Sequence, residues 1–97
     1  MDSSSFLNLL SSVKDASFDD DKVDTILSTI RAVGRISPSQ VVQLMELISF
    51  GEGKLKVAKE VYIAVPREYR GSYASVVGKA LTFSDERSEL NEYIRQF

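Results

Sequence analysis

Five aspartates, Asp15, Asp19, Asp20, Asp21 and Asp24, fall within one ten-residue stretch. Carboxylates grouped in this way could hold a hard cation, since calcium takes oxygen ligands. The loop pattern is wrong for an EF-hand, however. Val23 stands where an oxygen ligand is needed, and no glycine follows at the turn. Helix capping and compensation of the helix dipole account for Asp19, Asp20 and Asp21 without a metal. A calcium titration followed by thermal melting decides between the two readings.

The glycines of "FGEGK" at Phe50–Lys54 suggest a phosphate cradle only at first sight. A P-loop needs four residues between its glycines and a Ser or Thr after the lysine. Glu52 alone separates Gly51 from Gly53, and its carboxylate would repel phosphate. Gly51 reads better as a helix cap.

Lys54, Lys56, Lys59, Arg67, Arg70 and Lys79 make the later part of the chain more basic, with Tyr62, Tyr69 and Tyr73 among them. Cations interleaved with aromatics can meet nucleic acid or acidic lipid headgroups. The plainer reading is a solvated face, with Lys56 and Lys59 opposite the apolar stripe and Tyr62 on it. Ile63 projects away from the main stripe of its helix. Burial against the later helices is the plain expectation; left uncovered, Ile63 would mark a partner site. The candidate partner-binding residues are therefore Lys56, Lys59, Ile63, Arg67 and Arg70. No catalytic residue is singled out, because no nucleophile and base form a recognisable pair.

Composition narrows the classes further. Cysteine and histidine are both absent, which removes disulfides, thiolate chemistry and zinc sites built from those ligands. No cofactor is expected. The 12 basic and 14 acidic side chains leave a net charge of −2, whereas a polyanion binder normally carries a basic excess. Nucleic acid is thus a poor expectation. No run approaches the roughly 20 apolar residues of a membrane span, and the first residues lack the pattern of a signal peptide. A soluble domain over residues 1–97 is expected, whether whole or cut from a longer protein; compartment and oligomeric state stay open.

The elements that carry these residues are helical. Val23, Ile26, Leu27, Ile30 and Val33 share one helix face, and Gly34 follows as a C-terminal cap. Ile36-Ser37-Pro38-Ser39-Gln40-Val41 reads as a helix start, with a Ser37/Gln40 capping box, Pro38 in the first turn and Ile36 stapled to Val41. One phrase then recurs: "SFDDDK" at Ser17–Lys22, "SFGEGK" at Ser49–Lys54 and "TFSDER" at Thr82–Arg87. Its phenylalanines lie 32 and 33 residues apart, the length of a helical hairpin. Each phrase ends one apolar helix and opens another, with Asp19, Gly51 and Ser84 as N-caps. Helices are expected over 4–15, 19–33, 38–49, 52–64, 69–81 and 85–96. They form three helix-turn-helix hairpins in an all-α, compact right-handed array. Phe18, Phe50 and Phe83 should plug equivalent elbows, buried.

The order of "FxxLLxxV" (Phe6–Val13), "SFDDDKVDTI", "SPSQVVQLMELISF", "KLKVAKEVYIAV" and "LTFSDERSELNEYI" resembles the helical domain-of-unknown-function family numbered four-four-seven-six, over nearly the whole chain. Family members occur in bacterial secreted or envelope proteins and in some eukaryotic multidomain proteins. They usually carry an aspartate after the "YxxV" step, where this chain has Pro66-Arg67-Glu68. The resemblance implies a helical fold and brings no catalytic residue or ligand. The functional expectation is a non-catalytic protein-interaction module. The alternative is a regulatory module meeting anionic lipid or nucleic acid through the basic, tyrosine-bearing region.

Overall fold

The computed structural model describes all 97 residues, Met1–Phe97. Six helices appear and no strand: α1 (Ser3–Asp15), α2 (Asp19–Val33), α3 (Pro38–Met45), α4 (Gly51–Glu60), α5 (Arg67–Gly78) and α6 (Ser84–Ile94). A 3₁₀ turn at Tyr62–Ala64 follows α4.

Local chemistry sets several of these boundaries. Asp2 caps α1, its carboxylate accepting the Ser5 amide at 2.8 Å. Gly34 ends α2 with φ of +78°, and its amide donates to the Ile30 carbonyl. A side chain there would strain the left-handed backbone. At α3 the capping box is complete: the Gln40 amide donates to Ser37 Oγ at 3.3 Å, and the Ser37 amide donates to Gln40 Oε1 at 3.1 Å. Pro38 occupies the first turn, where it displaces no hydrogen bond.

Helices α1 and α2 end where expected, while α3, α4, α5 and α6 end earlier than their apolar spacing suggests. After α3 the Ile48 amide bonds back to Met45, and after α5 the Leu81 amide bonds back to Gly78. The Ala16 amide makes the same three-residue bond to Val13 after α1. Each tightening turns the chain for the next helix. The expected helix 52–64 breaks at Val61, whose ψ of −9° starts the 3₁₀ turn. Pro66 then bars any continuation, and α5 starts at Arg67 rather than at residue 69.

The helices stack as two layers. Consecutive helices pack in pairs, α1 on α2, α3 on α4 and α5 on α6. Across the pairs, α4 lies between α2 and α6, while α3 touches α1 and α5. The slab measures 32 × 27 × 18 Å, and its thinnest dimension suits two helix layers about 8–10 Å apart. One cluster of 21 buried apolar residues runs through it, and no charged side chain is buried. Central α4 approaches its neighbours closely at Gly53, where a Cβ would stand 2.9 Å from Ile48 Cγ2 and 3.4 Å from Val23 Cγ2. Because Ile48 is itself buried, Gly53→Ala should overpack this contact and destabilise the domain by about 1–3 kcal/mol. Chemical denaturation measures that change.

The three phenylalanines do not plug the elbows. Phe18, Phe50 and Phe83 are 71%, 72% and 64% exposed. The reason is a frame shift of one residue. Their carbonyls accept the first helical bonds, from the amides of Lys22, Lys54 and Arg87, so each phenylalanine is itself the N-cap. The N′ residues are then Ser17, Ser49 and Thr82, and the N4 residues are Lys22, Lys54 and Arg87. Neither set is apolar, and no hydrophobic staple can form. Ile48 and Leu81, two residues before Phe50 and Phe83, turn inward instead and are fully buried, while Ala16, two before Phe18, is only partly buried.

Candidate binding surfaces

Helices α2 and α4 run parallel. Their N-terminal ends meet where the Asp19 carboxylate accepts the Ser49 amide at 3.0 Å and the Phe50 amide at 2.9 Å. Their C-terminal ends meet where Arg31 pairs with Glu60 at 3.2 Å. Each end of this helix pair has its own chemistry.

At the C-terminal end a hollow of about 300 Å³ opens between the two helices. Leu27, Ile30, Val61, Ile63 and Ala64 give it an apolar floor and wall, and the Arg31–Glu60 pair marks its polar edge. The 3₁₀ turn after α4 directs Ile63 outward, 70% exposed. The expectation that Ile63 would be covered by the later helices is therefore overturned. Periodicity read through residues 52–64 could not anticipate this, because the turn at Val61 resets the direction of every side chain beyond it.

Two of the candidate cations near this hollow hold the fold together. Arg70 Nε donates to the Val65 carbonyl at 3.0 Å and Nη2 donates to the Ile63 carbonyl at 3.2 Å. Its guanidinium also lies 5.2 Å from the Tyr62 ring centroid. It thus satisfies carbonyls that the broken helix leaves without partners. Lys59 pairs with Glu89 and sits 5.8 Å from the Tyr93 ring centroid. Lys56 and Arg67 are exposed, and neither has an ion-pair partner. Of the three tyrosines read together in the sequence, Tyr62 and Tyr73 are buried and only Tyr69 is exposed.

At the N-terminal end the acidic cluster divides. Asp19 caps the neighbouring helix as described, a long-range use of a residue expected to cap its own. The Ser49 amide holds its pKa below the usual carboxylate value; desolvation opposes this, and the Phe50 amide and the nearby Lys22 and Lys54 add to the lowering. A depressed folded-state pKa contributes stability that is present above the unfolded value and is lost as pH falls through the folded one. Asp19→Ala should melt below the wild type at neutral pH, and the gap should close below about pH 4. Melting curves across that range test this. Asp20, Asp21 and Asp24 are exposed, and no three acidic groups in the chain converge as a metal site would require. Lys22 reaches across to the Leu47 carbonyl at 2.9 Å, and Arg87 Nη1 reaches the Leu81 carbonyl at 2.8 Å. The basic residue that closes these two phrases therefore supports an elbow.

No helix is long and apolar enough to cross a membrane. A family model described as "Domain of unknown function (DUF4476)" matches residues 1–94. Neither a curated protein nor a solved structure matches the chain.

Proposed function

We propose, for a chain that belongs to the family of domains of unknown function DUF4476, that it is a non-catalytic helical module that binds a protein partner in the hollow between the C-terminal ends of α2 and α4. The single observation that carries this reading is Ile63, a large apolar side chain held outside the core at the rim of an apolar recess. Such a residue contributes nothing to core burial and presents a ready anchor for an apolar side chain. Three stacked hairpins, taken as copies of one unit, would supply a rigid frame for grooves of this kind.

The basic, tyrosine-bearing reading has less support. Lys59 and Arg70 are engaged within the fold, and two of the three tyrosines are buried. Lys56 and Arg67 are exposed, but neither lines the hollow.

The test is capture from extracts of the source cells by the wild type and by Ile63→Asp. A partner retained by the wild type and lost from a variant with unchanged melting temperature supports the proposal. Equal capture by both proteins overturns it.

A further inference from the structure

The opposite end of the slab presents three phenylalanines that the fold does not use. Phe18, Phe50 and Phe83 cap α2, α4 and α6, and each is at least 64% exposed. They share one edge of the molecule. Asp19, next to Phe18, holds the amide of Phe50, and the Glu86 carboxylate lies where a Cβ on Gly51 would stand. The starts of α2, α4 and α6 therefore follow one another along this edge. Three aromatic rings kept in water at equivalent positions form an apolar strip that no other part of the chain covers.

The charge around the strip selects its occupant. Taking each phenylalanine with the six residues after it, eight carboxylates face four cations, and one of the eight, Glu89, is paired with Lys59 outside these stretches. That leaves −3 on this edge, while the whole chain carries only −2. The positive helix ends return about half a unit charge each, which does not cancel it. Two of the four cations, Lys22 and Arg87, are turned onto backbone carbonyls. Between α2 and α4 the edge deepens into a polar groove of about 510 Å³, lined by Asp20, Asp24 and Glu52, with Phe50 and Lys56 beside them. An anionic membrane surface would be repelled here. A cation laid over an exposed ring gains from both the ring face and the carboxylates.

We propose that this edge is a docking surface for a cationic segment of a partner polypeptide, with its apolar side chains against the phenylalanines and its Lys or Arg side chains in the acidic groove. The site is independent of the Ile63 hollow, which lies at the far end of the same helices.

Fluorescence anisotropy with two labelled probe peptides tests it: a repeating Leu-Lys-Lys peptide and a Leu-Glu-Glu peptide of equal length. The full chain should bind the cationic probe and not the acidic one, with affinity falling as salt rises. Substituting all three phenylalanines by serine should weaken binding by about tenfold or more. Asp20→Asn, Asp24→Asn and Glu52→Gln together should weaken it and flatten the salt dependence. Ile63→Asp should leave it unchanged, which separates this site from the hollow. Equal binding of both probes, no binding at low salt, or full binding by a folded triple-serine variant overturns the proposal. So does a dimer in sedimentation equilibrium that the triple-serine variant abolishes, which would assign the strip to a second copy. Preferential binding of the wild type to anionic vesicles would assign it to lipid and overturn it equally.

Discussion

Tyr73→Phe is expected to destabilise the domain by about 1–3 kcal/mol, although it removes a single oxygen. Tyr73 is fully buried, and its hydroxyl donates to the Ala58 carbonyl at 2.6 Å. That carbonyl belongs to the last turn of α4, where the helix gives way to the 3₁₀ turn and the final carbonyls lack helical partners. Phenylalanine would leave it buried and unsatisfied. Burial, followed by the nearby Tyr62 and Tyr93, pushes the pKa of the hydroxyl well above the usual phenol range, so it stays protonated and remains a donor. The ring adds a second contribution, standing edge-on to Tyr62 with centroids 5.0 Å apart. Tyr73→Ala should therefore cost more, about 3–5 kcal/mol. Urea denaturation of the two variants separates the oxygen from the ring. If Tyr73→Phe proves as stable as the wild type, the hydroxyl does not support the end of α4.

The second large effect concerns the elbows. Ile48→Ala and Leu81→Ala should each cost about 2–5 kcal/mol, since both side chains are almost wholly buried where the chain turns between helices. Phe50→Ala and Phe83→Ala, only two residues further on, should stay within about 0.5 kcal/mol of the wild type. The contrast is diagnostic because the bulkier side chain is the one that does not matter to the fold. Were the phenylalanines plugs, the order of effects would reverse.

These residues also show what the sequence made legible. The Ser37–Gln40 capping box, the Gly34 cap and the stripe from Val23 to Ile30 depend on contacts within a few residues, and all are found as expected. So is the recurrence of the helix starts at intervals of 32 and 33 residues, now expressed as matching backbone bonds at Phe18, Phe50 and Phe83. The frame of those starts was ambiguous by one residue. An aspartate or serine after phenylalanine satisfies capping preferences in either position, and only the carbonyl that accepts the first helical bond decides. Asp19 illustrates the limit, because its amide partners lie 30 and 31 residues away. Nothing local reports that.

Of the candidate binding residues, Ile63 was visible as an apolar residue off its stripe, but its exposure depends on the break at Val61. Arg70 and Lys59 looked like free cations for a related reason. Their carbonyl and carboxylate partners are set by how α4 ends and how α6 packs on it. The exposed phenylalanines give the strongest sequence signal, and the expectation that they are buried rests on placing them one position before the N-cap, whereas each is the N-cap itself. Apolar character marks what can be buried; the direction of the Cα–Cβ bond settles what is.

Amide hydrogen exchange on the domain alone and in its captured complex tests the proposed partner site most directly. Slower exchange on binding should fall on the C-terminal turn of α2 and on residues 60–64, around Ile63. Slowing confined to other parts of the molecule, or none on forming the complex, would contradict the assignment of the hollow as the binding site.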